Sequence, residues 1–141
     1  MKRLLTLFML LLLGMAAIAT AGGRPAQKPD SLQVFWQSFK KSVSAGKKQT
    51  VARLTKFPLE MSYGVPEIKS RSEFLRRYRE VFNQQSNAIQ CFAKAKPETD
   101  AAKPKEFSVS CPDAAGNEVV IYHFNLTSAG WRFVALDNLN E

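Results

Sequence analysis

No catalytic motif in this 141-residue chain is strong enough to name a reaction, so the groups that could move a proton are weighed singly. His123 is the single histidine, the side chain that changes charge nearest neutral pH. With a carboxylate such as Asp137 it could run acid-base chemistry if both lined a pocket. Tyr63, Tyr78 and Tyr122 could each donate to a developing oxyanion, although buried tyrosines more often bond to backbone or water. Glu60 and Tyr63 are an odd number of positions apart, so on one strand they point to opposite faces and form no dyad. The candidate catalytic residues are therefore Tyr63, Tyr122, His123 and Asp137, and no motif among them names a reaction. One histidine and two distant cysteines, Cys91 and Cys111, lack the clustered spacing of a zinc site. The glycines are scattered at element ends and build no phosphate loop. No cofactor and no metal are expected.

The start of the chain gives an address. Lys2 and Arg3 precede an apolar run from Leu4 to Leu13, and Ala19-Thr20-Ala21 offers the small residues that a signal peptidase reads. The apolar stretch is shorter than the roughly 20 residues needed to span a bilayer. Residues 1–21 are thus read as a signal peptide, with the mature chain starting at Gly22 in the periplasm or outside the cell. Losing Lys2 and Arg3 lowers the net charge from +8 to +6. That excess is modest, and no nucleic-acid signature accompanies it, so no nucleic-acid partner is expected. Arg76, Arg77 and Arg79, with Lys69 and Arg71 before them, are the densest basic group. Interleaved with Glu73 and Glu80, they read as a solvated helix face.

The elements that must position these groups follow. Residues 22–29, "GGRPAQKP", form a flexible lead-in, and residues 30–141 a single domain. Asp30 and Gln33 suggest a helix start, and Leu32, Phe35, Trp36, Phe39 and Val43 recur at helical spacing up to Gly46. Such an aromatic stripe is the buried face of a helix rather than a cofactor box. Val51 and Leu54 indicate a short second helix ending before Pro58, and "LEMSYGV" a strand. Ser70 and Glu73 make a capping box for a third helix with Phe74, Leu75, Tyr78, Val81 and Phe82 inward. From Asn87 the period changes to two, which predicts an antiparallel meander of four strands around Ile89–Ala93, Phe107–Cys111, Val119–Thr127 and Trp131–Leu139.

Register assigns the faces. With Thr127 opposite Trp131 across a three-residue turn, Phe124 faces Val134 and Tyr122 faces Leu136, and Val109 lies opposite Val120. His123 then sits opposite Ala135 and diagonal to Asp137, on the face away from the helices. Ile121, Trp131 and Phe133 gather on that same outer face, an apolar area suited to a homodimer. In the first hairpin Cys91 falls opposite Cys111, where export would supply the oxidising compartment for a disulfide.

The order of two or three helices followed by a long antiparallel sheet, with "FWQSF", "LTKFPL", "FLRRYREVF" and the closing "GWRFVALDN", resembles the nuclear transport factor 2-like superfamily over residues 30–140. The resemblance implies an α+β cone, its N-terminal helices packed in the hollow of a curved, mainly antiparallel sheet. It also implies a hollow able to hold a small apolar ligand, for which Trp36, Phe39, Tyr78, Tyr122 and Phe124 are the candidate lining. Superfamily members include isomerases, dehydratases, hydrolases, adaptors and immunity proteins, so fold alone does not choose. The interior residues are aromatic and aliphatic with few ionisable groups. The expectation is an exported, non-catalytic domain binding a small apolar ligand or a protein through its cone or outer sheet face. A small isomerase- or hydrolase-like enzyme and an inhibitor or immunity protein are the alternatives.

Overall fold

The aromatic stripe after Ser31 forms the helix its spacing predicts. In the computed structural model, which describes residues 31–62 and 67–138, α1 runs Leu32–Ser44 and buries Phe35, Trp36, Phe39 and Val43. Its N-cap is Ser31, one residue later than the expected Asp30, and the serine hydroxyl accepts from the Val34 amide at 3.4 Å. Gly46, at φ +62°, takes the left-handed conformation that turns the chain out of the helix. The signal-peptide and lead-in segments, and Tyr63, lie outside the described residues.

α2 (Lys48–Arg53) leads almost directly into β1 (Thr55–Met61), so the strand starts four residues before the expected "LEMSYGV". Pro58 sits inside β1, after a cis Phe57–Pro58 bond. The β1–β5 pairing shifts register between Thr55 and Glu60, so a residue with no N–H interrupts no regular ladder there. β2 (Glu67–Ile68) pairs antiparallel with β1 and is too short to show a period in the sequence. α3 (Arg71–Arg79) opens on the predicted box: Ser70 Oγ accepts from the Glu73 amide, and Glu73 reaches back to the Lys69 amide at 2.9 Å. It continues as a π-helical turn, Glu80–Gln84.

The segment read as the first meander strand is a helix, α4 (Ala88–Lys94). Asn87 caps it by accepting from the Gln90 amide, and Ala88 and Phe92, four apart, are its buried face while Ile89 is exposed. Alternation over five residues was a weaker signal than the Asn cap and the helix-forming Ala, Gln and Lys around it. The meander therefore has three strands, β3 (Glu106–Pro112), β4 (Val119–Thr127) and β5 (Gly130–Asn138). The sheet order is β2-β1-β5-β4-β3, antiparallel except for the β1–β5 pair. The helices cover one face of this sheet, and the buried apolar residues form one cluster between them.

Two register differences matter for surfaces. Val109 pairs with Tyr122 rather than Val120, a slip of two residues that leaves every side chain on its expected face. At the β4–β5 turn the slip is one: Thr127 pairs with Gly130 and Leu126 with Trp131, around a two-residue turn with Gly130 at φ +89°. A bulge opposite His123–Phe124 absorbs the extra residue, so His123 still meets Ala135 and Tyr122 still meets Leu136. Between turn and bulge the faces invert. Trp131 and Phe133, expected outside, are buried against the helices, with Trp131 packed on Phe107 and Phe133 on Phe39. The outer apolar patch of Ile121, Trp131 and Phe133 does not form, and the homodimer expected through it loses its surface.

Candidate functional site

The hollow of the sheet is filled by rings. Phe39 lies within 6.4 Å, centroid to centroid, of Phe35, Trp36, Phe82, Phe92, Phe124 and Phe133. Trp36, Phe39, Tyr78, Tyr122 and Phe124, the expected ligand lining, are all buried in this cluster and pack mostly edge-to-face or tilted against their neighbours. Such contacts each add about 0.5–1.5 kcal/mol beyond area burial. The five lie together in the core, each buried and in contact with a neighbouring ring.

The two described tyrosines are held in opposite ways. Tyr122 donates its hydroxyl proton to the Val81 carbonyl at 2.9 Å, one of the carbonyls left over at the end of the π turn. The Ser86 hydroxyl, fully buried at 2.8 Å, then serves as donor to the phenol oxygen. The one phenolic proton is already used, so Tyr122 has none to offer an oxyanion. Tyr78 has a buried hydroxyl with no hydrogen-bond partner among the described residues, and burial pushes its phenol up to about 12. The Lys48 ammonium sits 5.5 Å above its ring.

Ionisable groups collect on the outer sheet face. Glu60 of β1, Ala135 of β5, His123 of β4 and Ser108 of β3 form one row across the sheet. One step along β5, Asp137 accepts from Ser62 Oγ at 2.6 Å and lies 3.9 Å from His123 Nε2. The His-Asp proximity expected from register is present on the expected face. The serine gives its proton to the carboxylate rather than to the imidazole, so the trio lacks the base-to-nucleophile bond of a hydrolytic triad. A depression of about 590 Å³ is lined by Glu60, Ser62, His123 and Asp137 with Glu106 and Asn125. No group of three or more His, Cys, Asp or Glu able to hold a metal ion occurs among the described residues.

Cys91 and Cys111 are joined, with Cα atoms 5.7 Å apart. The bond is the predicted one, but it ties α4 to β3 rather than two strands of a hairpin. Cys111 is buried on the inner face while Cys91 lies in the wall of a depression of about 620 Å³ between α4 and the β3–β4 turn. In that turn Asp113 accepts from the Asn117 and Glu118 amides, and these bonds, the backbone of Glu118 first, hold its carboxyl below the usual range. On α3, Arg77 binds both Glu80 and Glu73, and the hydrogen bonds to Glu80 chiefly raise its pKa.

The site residues and fold define an α+β domain with helices packed in a curved mixed sheet, aromatic side chains between the two and the His123–Asp137 pair on the outer face. Among solved structures it is similar to an NTF2-like protein with a cystatin-like fold from Novosphingobium aromaticivorans, at 16% identity over 76% of this chain and 79% of that one, with a TM-score of 0.42. No protein-family profile and no curated protein matches the chain. No helix among the described residues is long and apolar enough to cross a membrane.

Proposed function

We propose that the chain is an exported, non-catalytic binding domain that engages a protein partner through the outer face of its sheet. The observation that carries this reading is the filled hollow: Phe39 and the six rings around it occupy the space a small apolar ligand would need. What remains for recognition is surface, and the outer face offers a polar depression with Glu60, Glu106 and Asp137 beside His123 and Asn125. Acid-rich polar lining suits a partner presenting basic and hydrogen-bonding side chains. Export is supported by the apolar N-terminal stretch and by the Cys91–Cys111 bond, which persists in oxidising compartments. A photo-crosslinking residue at Asn125, compared with one at Gln37 on the helical side, tests the binding face in cells. A discrete protein adduct from Asn125 alone is expected. A stoichiometric apolar metabolite released from the native protein in mass spectrometry would sink the reading in favour of a ligand-holding cone.

A further inference from the structure

The two sides of the molecule differ sharply in charge. The helical segments and their turns, residues 32–54 and 71–95, carry ten lysines and arginines against two acidic residues, Glu73 and Glu80. Both of those acids are engaged by one arginine, Arg77. The remaining described residues, the strands and the loops joining them, carry six basic and eight acidic groups. Among the described residues the net positive charge therefore resides on the helical side, where it acts as a surface field rather than as interleaved pairs.

All of these basic residues but Lys40 and Arg77 are exposed and, around α2, adjacent. Lys47 and Lys48 flank a depression of about 540 Å³ at the α1–α2 turn, whose wall includes Leu75 of α3. Arg71 ties α3 to α2 through Gln49 at 2.7 Å, and Arg76 and Arg79 are exposed further along α3. We infer that this helical side docks on an anionic phospholipid bilayer. Charge complementarity requires an anionic partner, and the other side chains select a bilayer over a nucleic acid. Every aromatic residue of the described helices is buried, leaving no exposed ring on which a base could stack. The large apolar side chains most exposed on this side are aliphatic, Val34 on α1 at 56% and Ile89 on α4 at 40%, as a headgroup region accepts. This inference is independent of the outer-face reading, because it uses the opposite side of the sheet.

Each basic residue close to an anionic membrane strengthens partition roughly fivefold, and the attraction fades beyond a Debye length. The test is co-sedimentation of the chain from Gly22 with vesicles of phosphatidylglycerol in phosphatidylcholine and of phosphatidylcholine alone, at low and physiological salt. One variant reverses helical charges, Lys47→Glu, Arg76→Glu and Arg79→Glu. A second, matched in net charge, reverses sheet-side charges, Lys56→Glu, Lys103→Glu and Lys105→Glu. Thermal melting of both confirms that they fold. The expected result is salt-sensitive binding to the anionic vesicles, weakened roughly a hundredfold in the helical variant and far less in the sheet-side one. Equal losses in the two variants would reduce the effect to net charge and overturn the proposal. So would a wild-type chain that ignores anionic vesicles, or one that binds single-stranded DNA or heparin instead.

Discussion

Replacing Tyr122 and Tyr78 separately by phenylalanine removes the same atom from two buried phenols, and the structure assigns opposite consequences. In Tyr122→Phe the ring keeps its contacts with Phe82, Phe92 and Phe133, so packing is preserved. The Val81 carbonyl loses its donor, and the buried Ser86 hydroxyl loses its acceptor. A neutral hydrogen bond contributes about 1 kcal/mol net, and an orphaned buried polar group costs about 1–3 kcal/mol. The expected loss is about 2–3 kcal/mol, or roughly 10 °C in melting temperature for a domain of this size. In Tyr78→Phe the deleted hydroxyl has no partner among the described residues, so stability should hold or rise by up to about 1 kcal/mol. Urea unfolding followed by circular dichroism at neutral pH, with unchanged slopes, measures both. If Tyr78→Phe loses as much as Tyr122→Phe, or if Tyr122→Phe stays within about 0.5 kcal/mol of the parent, the hydrogen-bond reasoning is wrong.

Converting both Cys91 and Cys111 to alanine releases α4 from β3 and should cost about 3 kcal/mol by loop entropy across a separation of 20 residues; an unaltered melting temperature would show that the staple is dispensable. Tyr78 gives an alkaline prediction. Its phenol is raised from 10 to about 12 in the fold, so the folded state holds the proton more tightly than the unfolded one. Its contribution is full below pH 10 and fades as pH climbs through about 12. Tyr78→Phe should remove that part of the alkaline decline, which unfolding curves of both proteins across this range will reveal or deny. The half-exposed pair of His123 and Asp137 should matter little to stability: His123→Ala and Asp137→Asn are each expected to change it by less than about 1 kcal/mol, read by thermal melting at neutral pH.

Local features were legible in the amino-acid sequence because they are written in a few neighbouring residues. The capping box at Ser70 and Glu73, the inward stripe of α1 and the alternation of β3 and β4 each follow from short-range periodicity. The outward position of His123 was also correct, since a slip of two leaves face unchanged. Tertiary structure decided where local signals were balanced. Residues 88–94 became a helix when Ala88 and Phe92 found a common core, and the disulfide from Cys91 consequently joined helix to strand. A two-residue turn at Ser128–Ala129, corrected by a bulge, moved Trp131 and Phe133 inward. The sequence by itself thus determined the buried aromatic faces of α1 and α3 and which residues can carry charge. The assembled fold determined that Trp131 and Phe133 join that core, because a one-residue register change inverts a face and only the packing of the whole sheet against the helices selects the register.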